Sequence, residues 1–236
     1  MKTALDNLVR KTIDRAEHCS GWLRKWQRIE PLGEPVKLNL GSGLYVAPGW
    51  INIDGSIKTL FVKMPRSVLN VALPLTNVRA DFSPDEFTNL VREHRFVFHN
   101  LKYGIPLADS SVDFIFCSHM LHHLYRDDAL TLLREAVRVL KDDGTMRIAV
   151  PDLEYIVALY REGKREQALE YFFYPKKPRG DLYRRAYQYD FVLLKALMEE
   201  AGVRNVRRCN FREGRVPDLD RLDRMPEETL FAEGEG

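Results

Sequence analysis

The stretch VKLNLGSGLYVAPGWINIDGS, residues 36–56, constrains this chain more than any other. It reads as an apolar run, two glycines one residue apart, and a second apolar run that ends on an acid. At the carboxyl end of a parallel strand, glycine lets the backbone approach a ligand closely, and an acid ending the next strand can accept hydrogen bonds from both hydroxyls of a ribose. Gly41 and Gly43 fit the first role and Asp54 the second. The dinucleotide fingerprint GxGxxG wants a third small residue where this chain has Val46, and its acid falls about 20 residues on rather than about a dozen. These departures favour one nucleoside over a dinucleotide. The competing reading of Asp54 is a turn-forming residue before Gly55.

Five compact, partly β-branched apolar runs, VKLNL, WINID, FVFHN, VDFIFCS and TMRIAVP, have the character of strands. Between the later ones, DDALTLLREAVRVLKDDG predicts a helix, with acids at its start, Leu130, Leu133, Val137 and Leu140 on one face, and Gly144 as its stop. SPDEFTNLVREH, DLEYIVALYREG and YDFVLLKALMEEAG read as further helical pieces, and NVRRCNF and ETLFAEG as two closing strands. Strands alternating with helices predict an α/β chain whose mostly parallel sheet is covered on its faces. The chain is expected to divide into an N-terminal helical arm, 1–35, and one domain, 36–236, with an inserted segment 57–95 and a lid-like segment 155–190. The arm spaces Leu5, Leu8, Ile13, Trp22 and Trp26 near a helical period among basic residues; it either packs on the chain's own core or meets a membrane surface or a partner.

With 45% hydrophobic and 30% charged residues and a net charge of +2, the 236 residues suit one sizeable core and give no global pull toward nucleic acid or membrane. Cys19, Cys117 and Cys209 lie far apart without a CxxC pair, so no disulfide framework and a reducing, cytoplasmic setting are expected. No run of about 18 apolar residues predicts a membrane span, and the N-terminus lacks the apolar stretch of an export signal.

LNLGSG followed by GWINIDGS, then HNLKYGIPLADSSVDFIFCSHMLHHL, the helix ending VLKDDG, and MRIAVPDLE resemble the class I S-adenosylmethionine-dependent methyltransferases. Within them the chain is most similar to the small predicted methyltransferases associated with sugar and polysaccharide biosynthesis genes, and its ending, DLDRLDRMPEETLFAEG, resembles that group too. The resemblance implies a Rossmann-like seven-stranded, mostly parallel sheet with helices on both faces and an antiparallel final hairpin. It implies S-adenosyl-L-methionine as cofactor, with Gly41, Ser42 and Gly43 against the methionine part, Asp54 on the ribose, and Asn100 and Leu101 facing the adenine. Related sequences often carry Asp at position 100, where the Asn100 amide can still bond the adenine amino group. The LEHL usual after the fourth strand is Leu121-His122-His123-Leu124 here, so no role passes over from that glutamate.

A methyltransferase has mainly to align its acceptor with an activated methyl and exclude water; a hydroxyl acceptor is helped by a general base, for which histidine is suited. Three of the six histidines, His119, His122 and His123, fall in SHMLHHLYRDD just past the fourth strand. His119, in the first turn, is expected against the cofactor and is, with His123, a candidate catalytic residue. His122 and His123 point to different faces of a helical turn, so at most one is expected in the site. Alternatively both cap or pack the following helix. A metal at H-x-x-H-H lacks obvious further ligands, and no metal is expected. EYFFYPKKPRGDLYRRAYQYDF interleaves aromatic and cationic residues, as suits a lid over sugar or phosphate, or simple packing. The expected function is methyl transfer to a hydroxyl, or less readily an amine, of a small molecule such as a sugar or nucleotide-sugar. Two alternatives are an RNA-binding or RNA-modifying protein, against which the small net charge speaks, and a catalytically inactive binding module of the same fold.

Overall fold

The computed structural model of the chain describes residues 22–24, 26–31, 33–56, 84–173 and 185–236. Most of the expected N-terminal arm, the inserted segment up to residue 83, and residues 174–184 of the lid-like segment lie outside these.

The two apolar runs around the glycines form β1 (Lys37–Leu40) and β2 (Trp50–Asp54). They are followed by α1 (Pro84–Glu93), β3 (Arg95–Phe98), β4 (Val112–Ser118), α2 (Arg126–Val139) and β5 (Leu140–Pro151). Then come α3 (Leu153–Arg161), α4 (Arg165–Phe172), α5 (Phe191–Glu200), β6 (Arg204–Cys209), the short α6 (Leu219–Leu222) and β7 (Thr229–Glu235). The strands make one seven-stranded sheet in the order β3-β2-β1-β4-β5-β7-β6. The pairs β2–β3, β1–β2, β1–β4 and β4–β5 are parallel, whereas β5–β7 and β6–β7 are antiparallel, which is the Rossmann-like arrangement with a closing hairpin. Strand order reverses at β1, so the crevice beyond the carboxyl ends of β1 and β4 is where such a sheet receives ligands.

Alternation along the strands separates two apolar layers. Leu38, Leu40, Ile51, Ile53, Ile115, Cys117 and Ile148 join Leu133 and Ala136 of α2 and Leu194 and Leu197 of α5 in the main core. Trp50 and Phe116, on the other face, pack with Ala47, Val216, Leu219 and Leu222, so the β6–β7 connection covers that side. Each fully buried Leu or Ile in these layers contributes about 1.5–3 kcal/mol of transfer free energy. β6 is an edge strand, and its pattern of exposed Arg204, Arg207 and Arg208 fits an edge protected by charge.

Gly144 does not stop the helix. α2 ends at Val139, and Leu140, extended and buried, already opens β5. The register on β4 then jumps, Val112 pairing with Leu140 and Phe114 with Thr145, and Gly144 occupies this irregularity. A Cβ there would lie 2.7 Å from Leu140 Cδ1, so the glycine permits a tight bulge. Val139, rather than Leu140, completes the buried face of α2.

Candidate functional site

Two loops at the carboxyl ends of neighbouring parallel strands build the site. The first joins β1 to β2. Asn39 and Asn52, facing each other in register and both buried, fasten it: Asn39 Nδ2 donates to Asn52 Oδ1 at 3.1 Å and to the Tyr45 carbonyl at 2.9 Å. Gly41 N–H donates to the Ile53 carbonyl at 2.9 Å. Gly41 and Gly43 both take positive φ, +62° and +54°, but their surroundings differ. A Cβ on Gly41 would lie 2.3 Å from Met120 Cγ, whereas nothing lies within 4 Å of one on Gly43. Gly41 therefore makes room for a side chain of the second loop, and Gly43 is the glycine with open space.

Asp54, at the end of β2, faces that open loop. Its Oδ2 accepts the Gly43 N–H at 2.8 Å and its Oδ1 the Ser56 N–H at 2.6 Å. Each carboxylate oxygen has more than one acceptor direction. Gly55 brings the end of β3 alongside, since its Cβ would sit 3.5 Å from Asn100 Cα. Asn100 Oδ1 accepts the Lys102 N–H at 3.0 Å and caps the 3-10 turn Leu101–Tyr103, while Leu101 packs against the main core. Ser42 is buried beside the loop, its carbonyl accepting the Tyr45 N–H at 3.0 Å.

The second loop follows β4. His119, at φ +50°, donates its backbone N–H to Ala149, and its Nε2 lies 3.1 Å from Thr229 Oγ1. Met120 then packs over Gly41, and Leu121–His123 form a 3-10 turn. The Ala186 N–H donates to the His122 carbonyl at 2.9 Å, so the chain returning toward α5 is tied to this turn. The rings of His122 and His123 are centred 4.0 Å apart, and those of His119 and His122 6.0 Å apart. Because the turn is a tight 3-10 one, both His122 and His123 reach the same cavity, contrary to the expectation that only one would.

This cavity, of about 160 Å³, is lined by the three histidines with Pro151, Tyr171, Arg185, Arg224, Met225 and Glu228. Burial, reinforced by Arg224 and then His123 and Arg185, pushes the His119 imidazole down to about 4. Burial likewise holds His122 well below its ordinary value, so both rings are neutral at pH 7. The Tyr171 hydroxyl donates to Glu228, and burial followed by this bond raises the phenol's pKa. Of the aromatic cluster, Tyr171 lines the cavity while Phe173 is 70% exposed.

Arg224, Met225 and Glu228 were not singled out from the sequence. They arrive from the β6–β7 connection, which a buried knot holds in place. All five N–H groups of Arg147 are engaged: Nε and Nη2 with Asp223 at 3.0 and 2.6 Å, Nη1 with Glu233 and the Glu213 carbonyl, and Nη2 also with the Asn210 carbonyl. An arginine inside an otherwise apolar strand, MRIAVP, is the signal that marks this knot in the sequence. Arg224 continues from it and lies 3.2 Å from the ring centre of Tyr45 in the glycine loop. A larger cavity, about 290 Å³ between Ile29, Leu107, Asp109 and Arg138, lies at the opposite, amino-terminal edge of the sheet, away from both loops. Among the described residues no group of three or more His, Cys, Asp or Glu is arranged to hold a metal ion, and no helix is long and apolar enough to cross a membrane.

Residues 73–148 match the family model described as a methyltransferase domain. The match takes in α1, β3, β4, α2 and most of β5, and begins after the Gly41–Asp54 loop. None of the curated proteins compared matches the sequence. Among solved structures, the chain is similar to an S-adenosylmethionine-dependent methyltransferase of Thermotoga maritima, described as a possible histamine N-methyltransferase, at 16% identity over 98% of this chain and 91% of that one (TM-score 0.48). It is also similar to an S-adenosylmethionine-dependent methyltransferase of Aquifex aeolicus, at 18% identity over 97% of both chains (TM-score 0.44). PigF bound to S-adenosylhomocysteine is 14% identical over 86% of this chain and 50% of its own length (TM-score 0.49). The matched domain over residues 73–148 and the strand order both support an S-adenosylmethionine-dependent methyltransferase activity.

Proposed function

We propose that the protein transfers the methyl group of S-adenosylmethionine to a hydroxyl of a small molecule, with sugars and nucleotide-sugars as the acceptors to try first. The observation that carries this reading is the histidine-lined cavity at the end of β4, joined through Met120 to Gly41 of the glycine loop. When bound, the cofactor supplies an electrophilic methyl on a sulfonium. Gly43 leaves the open space its amino-acid end needs, and Ser42 borders that space. Asp54, held at the end of β2 by the Gly43 and Ser56 N–H groups, accepts from the ribose hydroxyls. Asn100, whose carbonyl takes the Lys102 N–H on one of its two acceptor directions, faces the adenine with its amide, and Leu101 gives the ring an apolar neighbour.

On the acceptor side His123 is the general base. His119, held near 4, is too weak a base for a hydroxyl and serves instead to position the acceptor and border the cofactor's sulfur end. Tyr171 and Met225 keep water from the remainder of the cavity.

Calorimetry with S-adenosylmethionine tests the first half: the chain binds it, and Asp54→Ala weakens binding by about 1–3 kcal/mol, the loss expected when hydrogen bonds to a charged group are removed. Absence of binding at millimolar concentration refutes the cofactor assignment. Labelled cofactor offered with a panel of sugars and nucleotide-sugars tests the second half. His123→Ala lowers kcat by about a hundredfold with cofactor affinity unchanged, and product methylated on nitrogen overturns the hydroxyl reading.

A further inference from the structure

The cavity beside His119 has an electrostatic imbalance that neutral sugar recognition does not explain. Among the described residues, two guanidiniums, Arg185 and Arg224, line it against one carboxylate, Glu228, which already accepts the Tyr171 hydroxyl. The three imidazoles add no negative charge. On this wall, Arg224 Nε and His122 Nδ1 are buried without a hydrogen-bond partner among the described residues. His122 is itself 3% exposed, so its orphaned nitrogen has little access to bulk water. Burying a polar group without a partner is costly, and such groups on one cavity wall point to a ligand that supplies the partner.

Arg224 is held ready for such a ligand. The Arg147 knot fixes Asp223 immediately before it, and the Tyr45 ring lies against its guanidinium face, leaving the edge with its N–H fork for recognition. Stacking on one face while donating from the edge is how a guanidinium receives a carboxylate or phosphate oxygen in two parallel bonds. Arg185, placed by its Nη1 donating to the Glu170 carbonyl at 2.7 Å and stacked on Tyr171, stands on the same lining.

We propose that the methyl acceptor is anionic, carrying a carboxylate or phosphate that Arg224 receives together with Arg185, opposite the three histidines. This rests on the reading of the cavity as the acceptor site. A cavity of about 160 Å³ takes the anionic group and the atoms next to it, so the rest of the acceptor extends outward past the exposed Met225. A phosphorylated sugar or nucleotide-sugar meets this requirement through phosphate and a sugar acid through carboxylate.

The test follows the histidine ring resonances, assigned by single substitutions, as the full-length chain with S-adenosylhomocysteine is titrated with inorganic phosphate or with acetate. Ionic strength is held constant with sodium chloride. The His122 and His119 signals shift saturably with at least one anion, phosphate alone indicating a phosphorylated acceptor and acetate alone a carboxylate one. Arg224→Gln weakens the effect about tenfold or more, Arg224→Lys less, and Arg185→Gln about threefold or more. The proposal is overturned if neither anion gives a saturable shift up to about 100 mM, or if Arg224→Gln and Arg185→Gln both respond like the unaltered chain. If Arg224→Gln does not fold, Arg185→Gln decides on the same criterion. Calorimetry of S-adenosylhomocysteine alone runs alongside. Failure there removes the cofactor reading and leaves the anion result standing by itself, whereas normal cofactor binding without an anion response removes only the acceptor proposal.

Discussion

The two glycines of the β1–β2 loop are chemically alike and are expected to fail in different ways when each is given a methyl group. Both sit at positive φ, where a Cβ costs about 1–2 kcal/mol, so Gly43→Ala loses about that much stability and no more, having nothing within 4 Å of the new atom. Gly41→Ala pays the same conformational cost and drives its Cβ to 2.3 Å from Met120 Cγ and 2.7 Å from Met120 Cβ. These Met120 atoms lie close to its backbone and cannot swing clear as a terminal methyl would. Overpacking of this kind adds about 1–3 kcal/mol, for a total near 2–5 kcal/mol. Denaturant unfolding of both variants measures the difference, and Met120→Ala combined with Gly41→Ala should be more stable than the summed singles by about 1–3 kcal/mol. Cofactor affinity should rank the other way for Gly43→Ala: its methyl occupies the open space of the loop, so S-adenosylmethionine binds about tenfold or more weakly although the fold is barely disturbed. Equal stability of the two variants would refute the role given to Met120. Unchanged affinity in Gly43→Ala would refute the placement of the cofactor.

Acid should destabilise the chain through His119. Its pKa is about 4 folded against 6.5 as the ordinary value, so the stabilising neutral form is fully present above 6.5 and its contribution, about 3 kcal/mol, is lost as pH falls from 6.5 through 4. His119→Asn, which tolerates the positive φ, should flatten unfolding free energy against pH over that window, and an unchanged slope would refute it. The Arg147 knot gives a second contrast. Asp223→Ala leaves a fully buried guanidinium short of its main partner and should cost about 3–5 kcal/mol, while Glu200→Ala, which breaks the exposed pair with Arg126, should cost far less in the same denaturant series.

The strands were legible because each is a short apolar run bounded by turn residues: VDFIFCS is β4 from end to end, and WINID is β2. The error at Gly144 has a physical origin. A glycine after a helical pattern reads equally as a helix stop or as the tight point of a bulge, and only the pairing of Leu140 with Val112 across the sheet chooses between them. On the site, Gly41, Gly43, Asp54 and Asn100 could be picked out because they are close in sequence to the strands that carry them. Arg224 and Glu228 could not, since they reach the cavity through contacts between residues more than a hundred positions from the loop they face, such as Arg224 on Tyr45. That the Asn100 carbonyl also caps the turn after it was not readable, because the cap depends on the backbone path of Leu101–Tyr103 rather than on residue type.

The cofactor loop and the acceptor wall are therefore secured by separate devices. Asn39 and Asn52 tie the glycine loop to β1 and β2 through local hydrogen bonds, while Arg147 ties the acceptor wall to β5 through a buried charge network with Asp223 and Glu233. They meet where Met120 packs on Gly41 and where Arg224 stacks on Tyr45. Met225 and Glu228 line the cavity, so substitution at either is expected to change which acceptor fits while leaving cofactor binding intact. Substitution at Arg147 cannot, since it releases the whole connection, including the Asp218 carboxylate that receives both the Trp50 indole and Lys37 beneath that loop. Variation in acceptor is thus open to the outer residues of the β6–β7 connection and closed to the knot that anchors it.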